Sequence, residues 1–280
     1  MMEPLVLYHG SCMDGYTSAW IIHRDYPNAE FVPCYYGNPL PAIQPDRTVF
    51  FADFSAPRDV MERIASERDP LKFIVFDHHK TAQLDLYGLP GIVHFDMERS
   101  GAGITWDWFN PAVARPWLVN YVEDRDLWRF KLPMSQPVNA YVRSCEQTWE
   151  NWDNLYELSL DEAAARGRGC QLHIEAYVRA AIINAYWATL DLRTDDPAAP
   201  SLRLPLVNVC YEGCSEVASA MLDKFDCDVA GYFFQRDTGI WQYGLRSRVA
   251  DVGAIAKRYG GGGHAHAAGF EVWSLVHRKE

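Results

Sequence analysis

Three short apolar runs near the start of the chain each stop at an acid or an imidazole. Leu5-Val6-Leu7-Tyr8 leads into His9, with Asp14 just beyond. Val49-Phe50-Phe51-Ala52 leads into Asp53, and Leu71-Lys72-Phe73-Ile74-Val75-Phe76 leads into Asp77-His78-His79. Short apolar runs of this kind read as buried strands. Further strands are expected over 31–35 and 92–95. A helix is expected to open near Asp14, where Asp is a good N-terminal residue, and another to follow Pro57 as an amphipathic stretch to about Arg68. The βαβ rhythm predicts a mostly parallel sheet covered on both faces. Ligands of such sheets bind outside the carboxyl ends of the strands, so these acids and imidazoles should line one sheet edge.

Singly, each residue has an ordinary role: a lone His is more often structural, and an Asp at a strand end often caps a helix. The joint placement of His9, Asp14, Asp53 and Asp77-His78-His79 is what points to metal, since imidazole and carboxylate suit zinc, manganese or iron. A carboxylate-rich set with one or two imidazoles favours a pair of hard-to-borderline ions. Two such ions ~3.5–4 Å apart suit phosphoester hydrolysis.

The bulk numbers agree with that chemistry. The 280 residues are 49% hydrophobic and 22% charged, enough for one large domain or two modest ones. With 37 acidic against 26 basic residues the net charge is −11, which weighs against gripping a long duplex through its phosphates. A short anionic substrate, held by metals and a few arginines, fits better. Seven cysteines without a C-x-x-C pair suggest reduced thiols. The opening Met-Met-Glu-Pro lacks a basic signal region and no apolar stretch reaches membrane-spanning length, so a cytoplasmic protein without a membrane partner is expected.

From Ser100 to about Leu190 the pattern is helical, and 161–190 reads as one long helix despite Gly167 and Gly169. The polar, proline-punctuated residues 193–200 are the linker candidate. A smaller unit follows: strand 204–210, helix 215–225, strands 229–235 and 240–246, helix 251–259, then a glycine run and a last strand. The run is Gly260-Gly261-Gly262-Gly263-His264-Ala265-His266-Ala267-Ala268-Gly269. Glycines alone would suggest a flexible hairpin. After a helix, however, their backbone N–H groups form a ready anion-binding concavity, and Arg246 at the end of the preceding strand suits bidentate phosphate contact.

With these residues in view the chain resembles the DHH phosphoesterase superfamily, in the subfamily with the DHH-associated C-terminal domain. The resemblance covers nearly the whole chain. Asp14-Gly15-Tyr16-Thr17-Ser18-Ala19 matches the first motif, Asp53 the second, Asp77-His78-His79 the third, and Gly261-Gly262-Gly263-His264-Ala265-His266-Ala267-Ala268-Gly269 the C-terminal mark. The resemblance implies a DHH catalytic domain over 1–190, including a helical connector, and a DHH-associated substrate-binding domain over 191–280. It also implies an active-site cleft between them and two divalent ions, manganese first with magnesium as the other candidate. Asp53 would bridge the ions and His78 would ligate one. Asp77 would support the imidazoles, with His79 beside the metals or the scissile phosphate. Either Asp126 or its rival Asp124 would supply the fourth-motif ligand, and Ser100-Gly101-Ala102 matches a helix start that lies beside the metals. Ser100, Arg246, Gly262, Gly263 and His264 are the substrate-binding candidates. The first motif departs from the paired acids of relatives: the position two before Asp14 is Cys12, so one metal would be completed by His9, by the Cys12 thiolate or by water.

The expected function is a manganese-dependent phosphodiesterase or exonuclease acting on short single-stranded oligonucleotides or small nucleotides. Tyr35, Tyr36 and Trp128 are candidates for stacking on a base, although most aromatics should pack the core. Alternatives are a phosphatase of small nucleotide or polyphosphate substrates, or a non-catalytic nucleotide sensor with a degenerate site. An inorganic pyrophosphatase is disfavoured because the branch with that activity carries a different C-terminal domain.

Overall fold

Five parallel strands organise the first half of the chain in a computed structural model that describes residues 2–10, 12–192 and 201–280. The linker expected at 193–200 lies outside the described residues. The chain divides into two compact units, Met1–Gln171 and Leu172–Glu280.

In the first unit, β1 (Leu5–His9), α1 (Met13–Asp25), β2 (Glu30–Cys34) and β3 (Val49–Ala52) come first. They are followed by α2 (Arg58–Ser66), β4 (Phe73–Asp77), α3 (Gln83–Leu86) and β5 (Ile92–Phe95). The sheet order is β2-β1-β3-β4-β5. Alternation along the strands splits the apolar side chains between two faces. Leu5, Leu7, Phe51, Phe73 and Val75 pack against Met61 and Ile64 of α2. Val6, Phe50, Ala52, Ile74 and Phe76 turn the other way, onto Ile22 of α1 and Ile104. Burial on both faces is why these strands read as near-continuous apolar runs.

The helical segment belongs to the same unit as far as Gln171, and its last helix runs on into the second unit. Its helices are α4 (Gly101–Phe109), α5 (Trp117–Asp126), α6 (Ser135–Ser144), α7 (Trp149–Glu157) and α8 (Leu160–Ile182). Trp20 of α1, Trp106 of α4, Val122 of α5, Val142 of α6 and Trp152 of α7 share one core. The helix expected to reach 190 stops at Ile182, and Tyr186–Leu190 is instead strand β6. Its aromatic and β-branched residues suit a strand, and remote pairing with two other strands outweighs the helical signal. Gly167 stays within α8 because a Cβ there would meet the Pro137 carbonyl at 1.8 Å, so the helix needs glycine where it crosses α6.

The second unit continues with β7 (Leu202–Asn208), α9 (Cys214–Lys224), β8 (Val229–Gln235) and β9 (Trp241–Ser247). It ends with α10 (Val252–Lys257), β10 (Gly262–Gly263), β11 (Ala267–Val272) and β12 (His277–Lys279). A seven-stranded sheet runs in the order β10-β11-β9-β8-β7-β6-β12. Its pairs are antiparallel except β7 with β8. Val252 and Ala256 of α10 cover one face and Val217, Ala218 and Met221 of α9 the other. No helix among the described residues is long and apolar enough to cross a membrane.

Candidate functional site

In the first sheet β1 has β2 on one side and β3 on the other, so the strand order reverses between β1 and β3. The carboxyl ends flanking such a switch point form the crevice where open α/β sheets bind ligands. His9 closes β1 and Asp53 follows β3, on either side of it. Asp53 has φ 57°, a left-handed conformation that Asp tolerates better than most residues. Non-glycine residues held this way concentrate at functional sites.

Around Asp53 the sequence-expected ligands converge. Its Oδ2 lies 3.3 Å from His9 Nδ1 and its Oδ1 3.1 Å from His78 Nε2. The same His78 nitrogen is 3.6 Å from Asp14 Oδ2 and 3.4 Å from Asp126 Oδ2. Three sets of ligand atoms, each mutually within 4.8 Å, can be drawn in this unit: His9, Cys12 and Asp53; Asp14, Asp53 and His78; Asp53, Asp77 and His79. Asp53 belongs to all three.

Each acid is held differently. Asp14 sits in the first turn of α1 and accepts the backbone N–H groups of Gly101, at 2.6 Å, and Ala102, at 3.0 Å. These are otherwise unsatisfied donors at the start of α4, where a carboxylate is favoured. Asp77 is fully engaged: Oδ1 accepts from the backbone of His78 and His79 and lies 2.8 Å from His79 Nδ1, while Oδ2 accepts from Ser55 Oγ. That arrangement fixes the ring of His79.

The two rival acids separate. Asp126 stands beside His78, whereas the Asp124 carboxylate accepts from Ser135 Oγ at 2.5 Å, Lys131 N at 2.9 Å and Leu132 N at 3.4 Å. Asp124 therefore closes the loop between α5 and α6. Ser100 is also spent on structure: it is fully buried and its Oγ caps α4 by accepting from Gly103 N. No surface is left on it for a substrate.

The charges are frustrated without a cation. Burial would pull the His78 pKa down, but its contact with Asp53 and the charges of Asp126, Asp53 and Asp14 carry it up to about 10. Asp53 is held well below the carboxylate range: burial opposes ionisation, and the contacts with His78 and His9 and the charge on His79 overcome it. Burial, then repulsion from Asp53 and Asp126, pushes Asp14 well up. Burial raises Asp126, and Asp53 adds to that against the pull of His78. Burial and the Asp53, Asp126 and Asp14 charges keep the Cys12 thiol protonated. Asp126 Oδ2 is buried and accepts no hydrogen bond among the described residues. A buried acid cluster with one protonated imidazole at its centre fits divalent cations, which would supply the missing positive charge.

Within the second unit, Arg246 of β9 lies opposite Ala267 of β11 and Ala230 of β8. Its Nη2 donates to Ser215 Oγ at 2.6 Å and its Nη1 to the Leu245 carbonyl at 2.8 Å. Its Nε is buried without a hydrogen-bond partner among the described residues. The glycine run is an ordered hairpin, with Gly262 and Gly263 paired to Gly269 and Ala268. His264 N donates to the Ala267 carbonyl at 2.8 Å, so that amide serves the turn and not an anion. Of the aromatics, Tyr36 packs edge-on against His9 and His79, with ring centroids 5.3 and 5.7 Å away. Tyr35 and Trp128 are over one-third exposed.

Sequence reasoning missed the supporting residues. Ser55 completes Asp77, Ser215 holds Arg246, and Glu123 accepts from Ser100 N at 3.0 Å while pairing with Arg115. Only the position of Ser55, two residues after Asp53, offered any signal.

Residues 208–275 match the DHHA1 domain. The chain is 28% identical over 289 residues to an uncharacterized protein of Acanthamoeba polyphaga mimivirus, covering 95% of this chain and 66% of that relative. The fold is similar to that of a pGpG-specific phosphodiesterase from Vibrio cholerae, at 13% identity and TM-score 0.51, over 97% of this chain and 93% of the other. An exopolyphosphatase-related protein from Bacteroides fragilis aligns at 14% identity and TM-score 0.48, over 98% and 88% of the two chains. The chain thus carries a DHHA1 domain over residues 208–275, behind a parallel sheet whose fourth strand ends in Asp77-His78-His79, and its fold is similar to that of the phosphodiesterase.

Proposed function

We propose that this protein is a divalent-metal-dependent phosphodiesterase that hydrolyses short single-stranded oligonucleotides or small nucleotides. The observation that carries the reading is Asp53, a carboxylate common to three sets of ligand atoms at the switch point of a parallel sheet. His9, Asp14, Asp53, His78 and Asp126 would hold the ions, manganese first and magnesium second. Divalent ions bound there would supply Lewis acidity at a phosphoryl oxygen and lower the pKa of a water nucleophile.

The protein's own groups do the rest. Asp77 holds the Nδ1 side of His79, which leaves Nε2 as the end that exchanges a proton with the reacting phosphate. Asp14, fixed by two backbone amides, keeps its geometry as charge changes around it. Residues 1–190 serve as the catalytic part and 191–280 bind substrate, with Arg246 donating its fork to a phosphate. The net charge of −11 disfavours long duplex and supports a short substrate.

The test is hydrolysis by chelator-treated protein reconstituted with manganese. The panel contains pGpG, a nucleoside 3′,5′-bisphosphate, a cyclic dinucleotide, an oligonucleotide ladder from the dinucleotide upward, and pyrophosphate. Linear dinucleotides and the shortest oligomers are expected to turn over fastest. Failure to cleave any phosphoester with metal bound would overturn the reading in favour of a nucleotide sensor.

A further inference from the structure

Cys12 stands at the N-cap of α1, with extended backbone angles of −120° and 136°, yet its side chain makes no capping hydrogen bond. A residue chosen to serve that helix would be Ser, Thr, Asp or Asn. Cys34 and Cys145, by contrast, donate their thiols to nearby backbone carbonyls. The Cys12 sulfur instead lies with ligand atoms of His9 and Asp53, all mutually within 4.8 Å. A tetrahedral ion with ligand bonds of ~2.0–2.3 Å holds its ligand atoms about 3.3–3.8 Å apart, so a closure on the order of 1 Å brings even the outer limit of this trio onto a shared cation.

We infer that the Cys12 thiolate, with His9 and Asp53, completes one metal position, and that this position selects a borderline-soft divalent ion such as zinc, cobalt or iron(II) over manganese or magnesium. The inference rests on the metal-dependent reading of the first unit. Its ground is ligand chemistry: thiolate and imidazole favour softer ions, whereas carboxylates favour hard ones. The neighbouring set of Asp14, Asp53 and His78, with Asp126 beside it, is carboxylate-rich. Asp53 thus joins two positions of unequal softness. Binding at the softer one releases the thiol proton to solvent as the sulfur–metal bond forms.

Cobalt(II) titration of chelator-treated, full-length protein tests this without recourse to activity. A near-ultraviolet thiolate-to-cobalt charge-transfer band should appear and saturate at one equivalent. It should be lost in Cys12→Ser and in Cys12→Asp, both checked for native circular dichroism. Zinc affinity at that position should fall on the order of tenfold or more in Cys12→Ser. Cys12→Asp should instead bind manganese at both positions. Cobalt bound without the band, or a band that survives in Cys12→Ser, would overturn the thiolate ligand alone. Absence of any bound cobalt in the native protein and in Cys12→Asp would overturn the metal-dependent reading with it.

Discussion

Gly101 donates its backbone N–H to the Asp14 carboxylate at 2.6 Å, and a side chain at this position would prevent it. A Cβ on Gly101 would meet Asp53 Cβ at 2.6 Å and Asp14 Oδ2 at 3.0 Å, so the start of α4 approaches two candidate ligand acids only because it is glycine. Gly101→Ala should therefore displace Asp53 or Asp14. Misplacement of reacting groups by about 1 Å costs on the order of 10²-fold in rate, and that is the expected loss in kcat/KM. Steady-state kinetics beside a thermal melt checks it. A near-native rate would show that the close approach is unimportant.

Asp124 and Asp126 make a matched pair of tests. Asp126 faces other acids, is raised by burial and then by Asp53, and accepts no hydrogen bond at Oδ2 among the described residues. Asp126→Asn should stabilise the metal-free protein, on the order of 0.5–2 kcal/mol, while reducing bound metal. Asp124→Asn should do the reverse. Its carboxylate closes the loop through Ser135 Oγ and Lys131 N, so stability should fall by about 1–3 kcal/mol with metal content preserved. Melting curves of the stripped proteins and metal analysis of the loaded ones read both. Loss of metal in Asp124→Asn with Asp126→Asn unaffected would exchange their roles.

Metal affinity should depend on pH through His78. In the metal-free protein its pKa lies at about 10, above the ordinary 6.5, so at neutral pH it is protonated. Ligation needs the neutral ring, and binding must expel that proton. Apparent affinity should then rise about tenfold per pH unit through the neutral range and flatten towards pH 10. The sign for stability is opposite. A raised histidine stabilises the metal-free fold fully below about 6.5, and this is lost as pH rises through about 10. Asp14, also raised, acts in the same direction. Calorimetry in buffers of different ionisation enthalpy measures the proton release. An affinity independent of pH would remove His78 from the ligand set.

Part of this site could be read in one dimension because its candidate ligands sit at strand ends, where a near-continuous apolar run stops. β5 and β8 fall on the residues expected, Ile92–Phe95 and Val229–Gln235. What stayed illegible depends on docking. Asp124 and Asp126 are two apart at a helix end and must point to different sides, and the packing of α5 against α1 and α4 decides which one meets His78. Tyr186–Leu190 reads as helix locally because its partners, 202–206 and 277–279, are remote in sequence. Glu123 and Ser215 carry no pattern at all, and Ser55 only its place two residues after Asp53, since a hydroxyl or carboxylate that positions another side chain is visible only once both are placed.

Arg246 is the substrate-side test. Ser215 and the Leu245 carbonyl anchor two of its nitrogens, and its buried Nε lacks a hydrogen-bond partner among the described residues. A guanidinium positioned this way should bind a phosphate through charge-assisted contacts worth about 1.5–3 kcal/mol. Arg246→Ala should therefore lower kcat/KM by roughly one to two decades, at about 1.36 kcal/mol per decade, without loss of metal. Arg246→Lys should recover little, because an ammonium cannot reproduce the fork. Ser215→Ala should give a smaller deficit of the same kind, since it frees the guanidinium without removing it. His264→Ala should also weaken substrate binding and leave metal content normal. These losses should shrink on a minimal aryl phosphodiester, which offers no second phosphate to hold. Equal losses on that ester and on a dinucleotide, or a fall in bound metal, would take Arg246 and His264 out of the substrate-binding role.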